Sequence, residues 1–124
     1  MLGQNFGTFQ SPTFVTPPFP SYPSGHSVFS AAAAEALKRF LGSDSFGLVL
    51  SFPRGSSSLE PGAVPAQSLS IPFATFTDAA NSAAASRLYG GIHFQEDIDD
   101  GLIQGRQVGQ VVYDKAITYF NGTA

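Results

Sequence analysis

"FPSYPSGHSVFSAAAAEALKRF", residues 19–40, decides how this chain folds and where its chemistry sits. Pro20 and Pro23 fix φ and lack an N–H donor, so the first five residues cannot be helix interior. Ser24 is a favoured N-cap type, and Ala31–Ala34 are the strongest helix formers. The pattern predicts a helix from near Ser24 to about Leu41, stopped by Gly42. Phe29, Ala33, Leu37, Phe40 and Leu41 form its expected apolar stripe. Ser24, Gly25 and His26 then lie at a helix N-terminus, where unpaired N–H groups and the helix dipole favour an oxyanion. Gly25 lets a ligand approach the backbone, Ser24 offers a hydroxyl, and His26 can exchange a proton near neutral pH. The plainer alternative is that Ser24 only caps the helix and His26 is solvated.

Upstream, residues 1–23 hold five prolines and read as an ordered Pro-rich loop. Residues 1–16 lack the basic start and apolar core of a signal peptide, and the compartment is not legible. Downstream, "SDSFGLVLSF" (43–52) reads equally as a short helix or an extended piece, and no strand pattern is convincing. Residues 53–72 read as a surface loop. A second helix is expected from Thr77 or Asp78 through "AANSAAASRLY", interrupted at Gly90-Gly91. A third should run from about Gln95 to Tyr119, with Ile98, Leu102, Gly105, Gly109, Val112, Ala116 and Phe120 as its stripe. Gly101, Gly105 and Gly109 share one face; each costs roughly 1 kcal/mol against Ala inside a helix, which implies close approach of a neighbouring helix. Arg106 and the glutamines around it argue against a membrane span. The reading is all-α, a helical bundle, with residues 1–124 as a single partial domain whose helical core begins at residue 24.

Composition limits the function classes. The net charge of −3 argues against a nucleic-acid surface, and the absence of Cys excludes disulfides, thiolate metal sites and Cys nucleophiles. Twelve Phe and no Trp suggest a phenylalanine-rich core. Only six Lys and Arg are present, so an anion site must rest on a few of them plus backbone N–H groups.

A second chemistry-bearing stretch is "SRLYGGIHFQED", residues 86–97. His93 and Asp97 are four apart, so on a helix the carboxylate can hold one ring nitrogen and leave the other as nucleophile or ligand. Arg87 offers a planar fork for phosphate-like oxygens. Alternatively, Arg87 pairs with the acidic run Glu96, Asp97, Asp99 and Asp100, and the two glycines are merely a turn.

Taken together, "PSGH" and "SR-x5-H-x3-D" resemble the second and third signature blocks of the superfamily joining vanadium-dependent haloperoxidases with type 2 phosphatidic-acid phosphatases and bacterial acid phosphatases. The resemblance extends over nearly all of residues 16–120 and is strongest to the bacterial haloperoxidase-like branch. It implies vanadate as cofactor, with phosphate competing for the same site. His93 would be the ligand to vanadium, with Arg87, Ser24 and the Gly25 N–H holding oxygens, His26 as acid/base and Asp97 orienting His93. Phe19 would line the halide side of the pocket, although a packing role is as natural for one of many phenylalanines. Hydrogen peroxide and halide are the implied substrates; the alternative is a phosphoester cleaved through a phosphohistidine at His93. The family's first block, K-x6-R-P, is absent: no Lys or Arg precedes Lys38. The chain is therefore expected to be the C-terminal part of a family member with an incomplete anion site, to expose apolar surface, and to self-associate or be poorly stable. An inactive remnant, or a fragment that only associates with other helices, is the remaining alternative.

Overall fold

The structure, a computed structural model, describes residues 3–123. After a 3-10 turn at Gly3–Asn5, the elements are α1 (Gly25–Leu41), β1 (Ser45–Phe52), β2 (Leu69–Thr75), α2 (Phe76–Tyr89) and α3 (Gln95–Phe120). Three helices carry most of the ordered chain, as the all-α reading requires, and a two-stranded antiparallel sheet is added to them.

Helix α1 begins and ends where its residues dictate. Ser24 is the N-cap, its Oγ accepting from the Ser27 N–H at 3.4 Å. Gly42 closes the helix at φ +67°, donating its N–H to the Lys38 carbonyl. Helix α2 starts slightly earlier than expected, because Thr75 caps it: the Thr75 side chain accepts from Asp78 N–H, and the Asp78 carboxylate accepts from Thr75 N–H.

The glycine face of α3 does what its cost implied. A Cβ on Gly101 would lie 2.8 Å from Ser27 Cβ, and one on Gly109 would lie 2.5 Å from the Ala32 carbonyl oxygen. On Gly105 a Cβ would press on the Val28 carbonyl and sit 2.7 Å from Ala31 Cβ. Helix α1 packs most extensively on α3 and next on α2, while α2 and α3 touch little, so α1 is the central element.

Three expectations are corrected. The core is not phenylalanine-rich: its buried apolar residues are Ala31, Ala34, Ala80, Ala84 and Ile98, and no phenylalanine is buried among the described residues. Helices that meet through Ala, Ser and Gly are too close to hold large rings between them. Accordingly, the α1 stripe of Phe29, Leu37 and Phe40 faces outward, with Phe29 76% and Phe40 73% exposed. On α3, Ile98 and the glycines are buried, but Val112 and Phe120 are exposed.

The third correction concerns residues 43–72. Ser45–Phe52 is a strand and the expected loop ends at residue 68, where β2 begins, with Val49 opposite Pro72 and Phe52 opposite Leu69. All of β1 is exposed, so neither face demands alternation, and the usual period-two signal is missing. Pro72 is tolerated because both strands of a two-stranded sheet are edges. Among the described residues, no helix is long and apolar enough to cross a membrane.

Candidate active site

Two hydrogen bonds, one between backbone groups and one between side chains, bring the two chemistry-bearing stretches together. The Ser24 N–H donates to the Asp97 carbonyl at 2.9 Å, fixing the start of α1 against the first turn of α3. Two residues before the cap, the Tyr22 hydroxyl donates to Asp100 Oδ2 at 2.8 Å. Gly101, one turn further along α3, has Ser24 and Ser27 as its nearest neighbours, so the helix start is seated directly on the glycine face.

Asp97 is buried and bonded from several directions. Its Oδ2 accepts the Phe94 N–H at 3.0 Å, which satisfies one of the free donors at the start of α3. The same oxygen lies 3.3 Å from His93 Nδ1. Burial pushes the Asp97 carboxyl up, but the Phe94 N–H, the Ser21 side chain and His93 outweigh it and hold the pKa below the ordinary aspartate value. The carboxylate is therefore charged near neutral pH. With Nδ1–H directed at it, the other ring nitrogen of His93, Nε2, is the free one.

Arg87 comes from the last turn of α2. It is only 8% exposed, and its Nε is buried with no hydrogen-bond partner. Burial lowers the guanidinium pKa from its ordinary value; an arginine side chain stays protonated in proteins. The alternative of a salt bridge from Arg87 to the acidic run is not what the structure contains: the ion pairs of the described residues join Glu35 to Lys38 and Arg39, and Arg39 to Asp114.

Arg87, His93, His26 and Gly25 line one cleft of about 290 Å³, together with Pro17, Phe19, Phe29, Ser30 and Ile92. Arg87 is the one Lys or Arg in that lining. His26 is exposed at the first turn of α1. Its pKa is lowered from the ordinary histidine value by desolvation first, then by the charges of Arg87 and His93, so the imidazole is largely neutral at pH 7. Two of the candidate residues stand outside the lining. Ser24 is fully buried and its oxygen serves as the cap, and Asp97 reaches the cleft only through His93.

Sequence reasoning missed the contributions of Phe14, Ser30 and Ile92. Phe14 places its ring 5.8 Å from the Arg87 guanidinium carbon, a contact across most of the chain with no local signature. Ser30 is one turn after His26, so helical spacing alone could have found it. Phe29 was assigned to a packing stripe and instead borders the cleft.

The donors fit a tetrahedral oxyanion better than a cation. An unpartnered buried guanidinium, a helix N-terminus and two imidazoles offer N–H groups and positive potential. Among the described residues, no cluster of three or more His, Asp or Glu is placed to hold a metal cation.

Comparisons with known proteins agree with this fold. A family model described as the VCPO second helical-bundle domain matches residues 1–122. The crystal structure of a holo-type bacterial vanadium-dependent chloroperoxidase is similar at 32% identity and a TM-score of 0.80, covering 90% of this chain and 23% of that one. The apo-type structure of a bacterial vanadium-dependent chloroperoxidase gives 32% identity and a TM-score of 0.83, covering 93% and 25%. A bacterial vanadium-dependent iodoperoxidase is 40% identical with a TM-score of 0.58, covering 86% and 23%. No curated protein matches. The chain thus spans about a quarter of the length of these solved relatives. With the signature stretches at one cleft and the match running almost end to end, this chain belongs to the VCPO second helical-bundle domain family, within the vanadium haloperoxidase-like superfamily.

Proposed function

We propose that the cleft is the vanadate-binding part of a haloperoxidase that oxidises halide with hydrogen peroxide. The observation that carries this reading is the buried, unpartnered Arg87 Nε in a cleft shared with both histidines of the chain. His93 Nε2 would be the ligand to vanadium, and Arg87 and the Gly25 N–H would hold the vanadate oxygens, while Ser24, buried as the cap of α1, would fix the helix N-terminus that faces them. When bound, vanadate supplies a Lewis-acid centre for activating peroxide. The neutral imidazole of His26 would take a proton from hydrogen peroxide at its unprotonated ring nitrogen and would donate it to the oxygen that leaves as water. Asp97 keeps His93 in the tautomer with Nε2 available. Phe19 lines the halide side, where an apolar wall reduces competition from water.

A single guanidinium meets the negative charge of vanadate in this cleft, so binding by this chain alone is expected to be weaker than a site with several cations achieves. Vanadium NMR of the chain titrated with vanadate tests the assignment. His93→Ala is expected to weaken binding at least ~10-fold, on the scale of losing a ligand or its support. Unchanged binding in that variant would sink the ligand assignment. Halogenation of a dione with vanadate, peroxide and bromide or chloride tests the reaction; phosphoester hydrolysis without vanadate, lost in His26→Ala, would instead favour the phosphohistidine route.

A further inference from the structure

We infer that Phe14 is a positioning residue for Arg87, holding the guanidinium at the cleft through its ring face so that the N–H groups stay free for an oxyanion. This rests on the vanadate-site reading above. Arg87 is buried yet has no carboxylate partner among the described residues, which leaves its charge without the usual compensation there. What it has is the Phe14 ring, with the guanidinium carbon 5.8 Å from the ring centroid, inside the range of a cation–π contact. A carboxylate would occupy the fork and neutralise the positive potential. An aromatic face stabilises the cation and takes none of its N–H groups.

The backbone delivers this ring on purpose-built local structure. The Phe9 N–H donates to the Gly90 carbonyl at 3.0 Å, anchoring the segment three residues beyond Arg87. A turn follows, closed by the Phe14 N–H donating to the Ser11 carbonyl at 2.8 Å. Within it, Ser11 Oγ accepts the Thr13 N–H at 3.3 Å and is 2.9 Å from Thr13 Oγ1. The irregular segment before α1 is thereby part of the site. Phe14 itself remains 52% exposed, so core packing does not account for its placement.

The test compares Phe14→Leu, which removes the ring face but keeps apolar bulk, with Phe14→Tyr, which keeps the face. Two readouts are taken on the full chain. The first is the proton shift of the Arg87 Nε–H, which a ring above the guanidinium displaces upfield. That displacement should disappear in Phe14→Leu and persist in Phe14→Tyr. The second is vanadate affinity by vanadium NMR, expected to fall about fivefold in Phe14→Leu, the scale of a partly desolvated cation–π contact, and to be retained in Phe14→Tyr. Thermal unfolding of both variants accompanies these. Wild-type affinity in Phe14→Leu, or an equal loss in Leu and Tyr, overturns the role of Phe14 while leaving the vanadate site standing. Wild-type chain that binds no vanadate overturns the site reading itself, and the inference built on it. An absent ring-current shift in the wild type overturns the contact whatever the affinities show.

Discussion

Asp97 carries three duties with one side chain and one carbonyl: it caps α3, holds His93, and accepts the Ser24 N–H that seats α1. Asp97→Asn is expected to lower vanadate affinity ~10-fold or more through His93 orientation. The same variant should destabilise the fold at pH 7, measured by urea unfolding. Because the folded pKa of Asp97 lies below its ordinary value, its ionised form contributes stability above the unfolded pKa, and that contribution is lost as pH falls through the folded one. The difference between wild type and variant should therefore shrink in that acidic window. His26 has the opposite charge logic. Its pKa is lowered, so the unfolded chain binds the proton better, and stability should rise as pH climbs from the folded pKa toward about 6.5. Desolvation is the larger cause, but the charge of Arg87 is the second, so Arg87→Gln should raise the His26 titration midpoint in a proton NMR titration. A midpoint unmoved by that substitution would remove Arg87 from the electrostatics of His26.

Among the helices, the decisive contact is the glycine face of α3 against α1. Gly105→Ala gains roughly 1 kcal/mol in helix propensity, yet its Cβ meets the Val28 carbonyl and Ala31. Overpacking costs typically 1–3 kcal/mol and more against backbone, so a net loss of about 1–2 kcal/mol is expected in urea unfolding. Gln107→Ala, on the exposed side of α3, is the control and should change stability by less than about 0.5 kcal/mol. Equal stability of Gly105→Ala and wild type would mean that the helices can separate without cost. The motif spacing of "SR-x5-H-x3-D" is itself an element-scale fact: Arg87 lies in the last turn of α2, His93 lies between the helices, and Asp97 sits in the first turn of α3. Gly91, at φ +69° with the Phe6 ring where a Cβ would lie 2.8 Å away, allows the chain to turn between them.

The molecule as a whole presents large apolar side chains to its surface, with Phe120 85%, Tyr89 81% and Phe29 76% exposed, and a hairpin with little cover on either face. Surfaces of this kind promote association. Sedimentation velocity is expected to show a concentration-dependent coefficient, reduced by Leu37→Ser with Phe40→Ser on the outer side of α1; a monomer across the concentration range would contradict it. The sequence by itself determined the caps of α1 and the close approach along Gly101, Gly105 and Gly109, and it offered the pairing of His93 with Asp97 for a helix that in the structure begins only at Gln95. Each of these depends on residues within a few positions, or on a backbone clearance that only glycine provides. The hairpin was not legible, because a strand exposed on both faces carries no alternation. Nor was the outward turn of the phenylalanines, since a helix's apolar stripe predicts burial only when its neighbour keeps enough distance to accommodate it. Phe14 over Arg87 belongs to the tertiary structure alone: a turn anchored at Gly90 carries one aromatic ring across the fold to a cation that no carboxylate among the described residues neutralises.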